Sequence, residues 1–338
     1  MLLGPRSGTL LRVAPLRPTT DGVVLLRPPS PGDAEVLVAG RDEVFRRFMG
    51  EGSTDPQPTG CVVVGDEIVG WVDHDTDRAW LEPGEVNVGY NVFARHRGNG
   101  YATRAVQLLL HHLAVDTVHG VATLLIDPAN HRSRALASRA RFGPCGDLDG
   151  NPYFKRPVPP LTYTDGTVTI RPQRVGDLDR DLEAKDDEQI RWLWLPGQRA
   201  SWEAMTLEER RDHARRGLEA NLAGFGTGPR WPFAVDAGDV EHVAFVECDL
   251  ANLHVPRGEA NISYSAHPAH RGRGHVSRAV RLLTRFLADH TGARRAHLLV
   301  DDANTTASLR VAAAVGAHAT ERWTNATGAS ISRHVLDI

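Results

Sequence analysis

Between residues 95 and 102 the chain reads Arg95-His96-Arg97-Gly98-Asn99-Gly100-Tyr101-Ala102. Upstream, Val86–Val92 is short and rich in β-branched residues, which predicts a strand. Downstream, Ala102, Ala105, Val106, Leu109, Leu110 and Leu113 recur at spacings of three and four, which predicts one face of a helix. The glycines therefore sit in a strand-to-helix turn. Such a turn aims successive backbone N–H groups at one spot, in front of the positive end of the helix, and makes an anion site suited to phosphate. Arg97 adds charge and Thr103 a hydroxyl. A Walker loop is excluded, because it needs Gly-Lys-Ser/Thr and neither Lys155 nor Lys185 follows a glycine. A dinucleotide fingerprint is excluded because its third glycine would fall at Thr103 and no early βαβ unit precedes it.

The turn occurs twice. Residues 85–106 align with 259–280 at an offset of 174, with ten of 22 positions identical, including His96-Arg97-Gly98-x-Gly100 against His270-Arg271-Gly272-x-Gly274. The register continues to Asp127 and Asn130 against Asp301 and Asn304. Upstream, Val24-Leu-Leu-Arg27-Pro28 with Gly32-Asp33 resembles Val168-Thr-Ile-Arg171-Pro172 with Gly176-Asp177 at an offset of 144, so the second copy carries about 30 extra residues between its first and third strands. A period this long is a duplicated domain, not a solenoid. The Pro-rich run at 157–161 is the expected linker between a domain at 1–156, with an extension over 1–20, and a domain at 162–338.

Composition agrees with a chain of two domains. The protein has 338 residues, 41% of them hydrophobic, with a net charge of −3, which argues against a bulk polyanion binder and so against nucleic acid. Its three cysteines are far apart and have no paired spacing, so neither a disulfide scaffold nor a structural zinc site is expected, and a reducing, cytoplasmic setting is. No run of 18 apolar residues predicts a membrane span, and Met1–Thr20 does not read as a signal peptide. The lysine-poor, arginine-rich usage suggests a GC-rich bacterial genome. Asp73-His-Asp75-Thr-Asp77 fails as a calcium loop, since Arg78 and Gly84 stand where Gly and Glu are needed. His111 and His112 are adjacent, point apart on a helix that is expected to be partly exposed, and do not chelate one metal; no metal is expected.

One copy reads β-α-β-β-β-α-β-α. It has strands at 23–26, 61–64, 68–72, 86–92 and 122–126, a hairpin turn at Gly65-Asp66, and a helix from Arg134 to Phe142 that stops at Gly143. The second copy adds a helical insert over 201–222 with a capping box at Thr206-Leu-Glu-Glu209.

With its duplication and the downstream Asp127-x-x-Asn130-x-x-Ser133, the turn resembles the GNAT superfamily of acyl-CoA-dependent N-acetyltransferases. Gly98-Asn-Gly-Tyr-Ala-Thr-x-Ala105 is most similar to the branch that includes the ribosomal-protein alanine acetyltransferases. The resemblance implies an α/β (α+β) fold of two tandem domains. Each has a mixed, mostly antiparallel twisted sheet flanked by helices, and its fourth and fifth strands splay to admit acyl-CoA. It implies that acetyl-CoA, or another acyl-CoA, is held in the N-terminal copy by Val92, Phe93, Arg97, Gly98, Asn99, Gly100, Tyr101, Ala102, Thr103, Asn130 and Ser133. The C-terminal copy would use Ala266, His267, Arg271, Gly272, Arg273, Gly274, His275, Val276 and Asn304. The N-terminal turn matches better and is expected to bind more tightly.

In this family a strand N–H polarises the thioester carbonyl, a carboxylate acts as base and a Tyr or Ser protonates the leaving thiolate, all in one ternary complex. The usual Tyr position is Ala137, with Ala312 nearby in the second copy, so Ser133 and Ser308 are the candidate acids, the latter after a one-residue insertion. The branch's usual glutamate falls at Asn87 and Asn261, so Glu85, Glu259 and Glu247 are the candidate bases. The long segment of the second copy carries Trp192, Trp194, Trp202 and Trp231, which suit either an acceptor pocket or core packing. The expected activity is acylation of a small-molecule amine, of the kind used in secondary metabolism, with the C-terminal copy catalytic and the N-terminal copy mainly structural. The alternatives are a non-catalytic acyl-CoA sensor and a protein N-terminal acetyltransferase. A homodimer is among the expected assemblies.

Overall fold

The computed structural model describes residues 15–194, 196–304 and 307–338. Residues 1–14 of the expected extension lie outside them. Its last residues belong to the first domain's sheet: Thr19–Thr20 form strand β1 against β2 (Leu25–Arg27). The N-terminal copy continues with α1 (Asp33–Ala39), α2 (Glu43–Met49), β3 (Gly60–Val64), β4 (Glu67–Asp75), β5 (Glu85–Val92), α3 (Tyr101–Asp116), β6 (Val121–Leu125), α4 (His131–Arg139), β7 (Gly143–Leu148) and β8 (Asn151–Pro157). The C-terminal copy has β9 (Tyr163–Thr164), β10 (Val168–Pro172), α5 (Leu178–Glu183), α6 (Asp187–Leu193), α7 (Pro196–Ala204), α8 (Leu207–Gly224), β11 (Arg230–Ala237), β12 (Val240–Asp249), β13 (Ala260–Ala266), α9 (His275–His290), β14 (Arg295–Asp301), α10 (Ser308–Val315), β15 (His318–Thr324) and β16 (Ser330–Asp337).

Each copy is one eight-stranded sheet, β1-β2-β3-β4-β5-β6-β8-β7 in the first and its counterpart from β9 to β15 in the second. All neighbours run antiparallel except one pair per sheet. β5 and β6 run parallel and touch only at Glu85–Asn87 against Val121–Thr123; β13 and β14 touch only at Ala260–Asn261 against Ala296–His297. Beyond those residues the strands part, as the resemblance implied.

Repeated ion pairs explain why the two sequences still align. Arg27 grips Asp33 as Arg171 grips Asp177. Arg104 reaches Asp21 as Arg278 reaches Asp165. Asp21 and Asp165 also cap matching turns, each accepting from the amides two and three residues on. The duplication therefore starts earlier than the first strand read from the sequence.

Helix α3 buries the predicted apolar face, with Ala105, Val106, Leu109, Leu110 and Leu113 all inaccessible. His111 and His112 are also buried, contrary to the expectation of a partly exposed helix, because α3 is packed by its own sheet and by the other copy. Trp231 Nε1 donates to His111 Nε2 at 3.3 Å, which leaves the His111 proton on Nδ1 to be donated to His290 Nδ1 at 3.0 Å. His290 Nε2 then donates to the Pro160 carbonyl at 3.0 Å. This chain of neutral rings joins both copies and the linker. Burial drives His111 well below the usual imidazole range and His290 down to about 3.

Candidate active site

The glycine turns adopt the conformation that their sequence requires. Gly98 and Gly100 have φ of +88° and +78°, and Gly272 and Gly274 have +72° and +77°. A Cβ at any of the four would meet nothing within 4 Å, so the space above each turn is open, while the positive φ keeps larger residues out. No side chain caps α3 or α9, so the first-turn N–H groups of both helices face that space.

The arginines of the turns are engaged elsewhere, which corrects the expectation that their charge serves an anion. Arg97 pairs bidentately with Asp42 at 2.5 and 2.8 Å and donates from Nε to the Val92 carbonyl. Arg271 pairs with Asp186 at 2.6 and 2.7 Å and with Glu188. Asp42 and Asp186 are the N-caps of α2 and α6, and the Arg97 hydrogen bond takes Asp42 down to about 2. Each arginine thus ties its glycine turn to a helix on the opposite side of the sheet. Their backbone N–H groups are engaged too, that of Arg97 by the Ala94 carbonyl at 3.3 Å and that of Arg271 by the Pro268 carbonyl at 3.4 Å, so the donors left for a ligand begin at the first glycine of each turn.

A cleft of about 1490 Å³ opens where β5 and β6 part. On one side of the sheet its walls are the turn, α3 and α4. On the other they are Phe45, Phe48 and Met49 of α2, with Trp80. Val92, Arg97–Thr103, Asn130 and Ser133 all line it. Phe93 does not. Its ring is buried against Gly40 and its N–H donates to the Val69 carbonyl, as that of His267 donates to Val243 in the other copy. Those two amides are therefore unavailable to a ligand.

Tyr90, one of the ten positions identical between the copies, reaches into this cleft. Its hydroxyl is buried without a hydrogen bond of full geometry, and burial pushes the phenol up to about 12, with Ser133 and the Arg139 charge acting the other way. The Asn91 amide nitrogen in the same cleft is likewise buried and unpaired. In the C-terminal copy the matching Tyr264 donates to the Ser308 carbonyl at 3.3 Å, bridging β13 and the start of α10. Asn130 caps α4 through the Ser133 amide, which leaves the Ser133 hydroxyl free of that task. Asn304 donates to Ser308 Oγ at 3.2 Å, consistent with the one-residue insertion.

The candidate bases are scattered. Glu85 is buried outside the cleft. Burial works to raise its pKa, but Lys155 at 2.5 Å, the Glu82 amide and the Tyr153 hydroxyl together bring it below the ordinary carboxylate range. Glu259 is held by His297 at 2.5 Å and lies on the wall of the N-terminal copy's cleft, at the edge supplied by the C-terminal copy. Glu247 is buried beside Arg230 at 2.5 Å, and burial raises its pKa against that charge. It stands across from Ser263, on the face of β13 that also carries Asn261. Asp73, which matches Glu247 at the offset of 174, accepts from Thr59 and from the His74 amide.

Three of the four tryptophans in the long segment of the second copy pack inward. Trp231 is core at the junction of the copies, and Trp194 and Trp202 pack edge to face at 5.0 Å within the helical insert. His267, His270 and His275 cluster around the second glycine turn, with ring centroids 5.7 and 6.3 Å apart in sequence, and Gly272, Arg273, Gly274 and Val276 lie among them. Among the described residues no group of three His, Cys, Asp or Glu is placed to hold a metal ion, and no helix is long and apolar enough to cross a membrane.

The chain matches the family described as acetyltransferase (GNAT) domain twice, over residues 24–143 and 167–318. A search of curated proteins finds no match. Among solved structures it is similar to a GNAT-family acetyltransferase from Bacillus anthracis, at 14% identity and a TM-score of 0.42 over 52% of this chain and 98% of that one. It is also similar to a ribosomal α-N-protein acetyltransferase in complex with coenzyme A, at 15% identity and a TM-score of 0.41 over 51% and 94%. A microcin self-immunity acetyltransferase in complex with acetyl-CoA and AMP follows, at 12% identity and a TM-score of 0.40 over 52% and 94%.

Proposed function

Because the chain belongs to the acetyltransferase (GNAT) domain family, we propose that it transfers an acyl group from acyl-CoA directly to an amine of a small molecule, and that the N-terminal copy does so. This allocation reverses the one expected from the sequence. The observation that carries it is Tyr90: a buried phenol with an unused proton, in an open cleft, where its counterpart Tyr264 is engaged by a carbonyl.

The backbone N–H groups from Gly98 to Ala102 would hold the pyrophosphate, and the β5 edge beyond Asn87 would hold the pantetheine arm. Acyl-CoA supplies the thioester carbon that the amine attacks. Tyr90 Oη keeps its proton throughout the neutral range and is placed to give it to a departing thiolate, with Ser133 Oγ beside it. The acceptor enters over α2, where Val44 and Met49 are 42% and 49% exposed alongside Phe48 and Trp80, which suits an amine with an apolar substituent. Such an amine with a pKa near 8 sheds its own proton readily enough to need little help from a base. A cytoplasmic setting, where acyl-CoA is available, accords with three unpaired cysteines.

Asn87 in place of a glutamate favours the second reading, a non-catalytic acyl-CoA binder. Release of free thiol from acetyl-CoA with a panel of apolar primary amines tests the proposal. Amine-dependent release that disappears in Tyr90→Phe supports it. Binding of acetyl-CoA without release for any amine, or for a panel of N-terminal peptides, leaves the binder reading in its place.

A further inference from the structure

The cleft of the N-terminal copy does not end within that copy. Its walls continue onto the C-terminal copy at Arg257–Glu259 and Thr291–Arg294. The join lies close to the anion turn. Arg104 donates to the Gly258 carbonyl and packs against Gly292, and it stands four residues after Gly100, about 6 Å along α3.

Charge is not balanced along these walls: among the described residues Asp127 is the one lining side-chain carboxylate without an ion pair, accepting from the Ala129 amide, and several arginines have no carboxylate partner. Arg78, Arg97, Arg104 and Arg141 are each answered by a carboxylate: Asp75, Asp42, Asp21 and Asp289. Glu259 is answered by Arg295 at 3.5 Å and also contacts His297 Nε2. Among the described residues, Arg132 and Arg139 of α4 and Arg294 of the C-terminal copy have no ion-pair or hydrogen-bond partner for their guanidinium groups. Arg257 donates only to the neutral carbonyls of Gly22 and Val23. The cleft therefore carries arginines from both copies that no carboxylate answers, with Arg257 and Arg294 on the C-terminal wall flanking the Gly258 and Gly292 positions that Arg104 touches. A ligand that suits it carries a second phosphate a short way from its pyrophosphate.

We infer that the C-terminal copy completes the ligand site of the N-terminal copy, with Arg257 and Arg294 binding the 3′-phosphate of coenzyme A. This rests on the acyl-CoA reading above. It gives the second copy a role that needs no reaction of its own. It also makes recognition of the 3′-phosphate dependent on the docking of the two copies.

The test is calorimetric binding of coenzyme A and of dephospho-coenzyme A, which lacks only that phosphate, to the full chain and to R257Q/R294Q. The wild type is expected to prefer coenzyme A. The double variant is expected to lose about threefold to tenfold of that preference, with dephospho-coenzyme A binding unchanged. Arg294→Lys, which keeps the charge, should retain part of it. An unchanged ratio, equal weakening of both ligands, or a wild type that does not distinguish them overturns the inference while leaving the acyl-CoA reading intact. A wild type that binds neither ligand removes that reading, and this inference with it.

Discussion

Tyr90 and Tyr264 occupy one position in two copies of one domain, yet the first keeps a free proton in a cleft and the second closes a gap by bonding to the Ser308 carbonyl. The bases diverge in the opposite sense. Both copies have Asn at the usual glutamate position, and the Asp73 of the N-terminal copy accepts through Oδ1 from Thr59 and the His74 amide. The C-terminal copy keeps Glu247 buried with a raised pKa. Duplication thus preserved the scaffold ion pairs in both halves while the reactive groups drifted apart. Proton donation is available in one copy and a carboxylate of raised pKa in the other.

The sharpest way to break this contrast is at the turns. Gly98→Val with Gly100→Val forces β-branched residues to positive φ and fills the open space, and should weaken acetyl-CoA binding about a hundredfold or more. The same pair of changes at Gly272 and Gly274 should leave the stoichiometry and affinity measured by native mass spectrometry nearly intact. An equal loss there would mean that the copies share the ligand. Next, Tyr90→Phe should lower kcat about a hundredfold with KM for acetyl-CoA little changed, whereas Tyr264→Phe should cost about 1 kcal/mol of stability and no turnover.

The junction sets an effect of similar size, on stability alone. His111→Ala strands Trp231 Nε1 and His290 in the core and should cost about 2–4 kcal/mol in urea unfolding. The sign of its pH dependence follows from the depressed imidazoles. Both rings are neutral when folded, and the unfolded chain takes up protons near 6.5. Stability is therefore complete above that pH and falls steadily as pH drops from 6.5 towards about 3, the folded value for His290. A variant with His111→Leu and His290→Leu should flatten that slope. As small as Tyr264→Phe, Thr206→Ala removes the capping box of α8 and should cost about 1 kcal/mol without touching acetyl-CoA binding.

Local chemistry was legible from the sequence. The glycine turns, the apolar stripe of α3, the hairpin at Gly65-Asp66 and the Thr206 box all stand where short-range patterns put them. Partnerships across distance were not. Arg97 was visible, but nothing in the pattern pointed to Asp42, 55 residues away. Strand β7, Gly143-Pro-Cys-Gly-Asp-Leu148, lacks β-branched residues and exists because β8 pairs with it. His111 and His112 looked like surface because periodicity describes one buried face, and α3 has two. Tyr90 and Tyr264 are identical in sequence, and only the cleft, not the motif, sets them apart.

Strand β1 has a consequence in time. Its residues meet the second copy directly: Thr20 N–H donates to the Thr227 carbonyl and Thr19 Oγ1 to that of Gly226, 207 positions later. At a synthesis rate of roughly 5–20 residues per second, those partners reach the tunnel exit roughly 10–40 s after β1 does. During that interval the nascent first half presents an unsatisfied β edge and an α3 whose histidines have no cover. The duplicated half is the cap that later covers both.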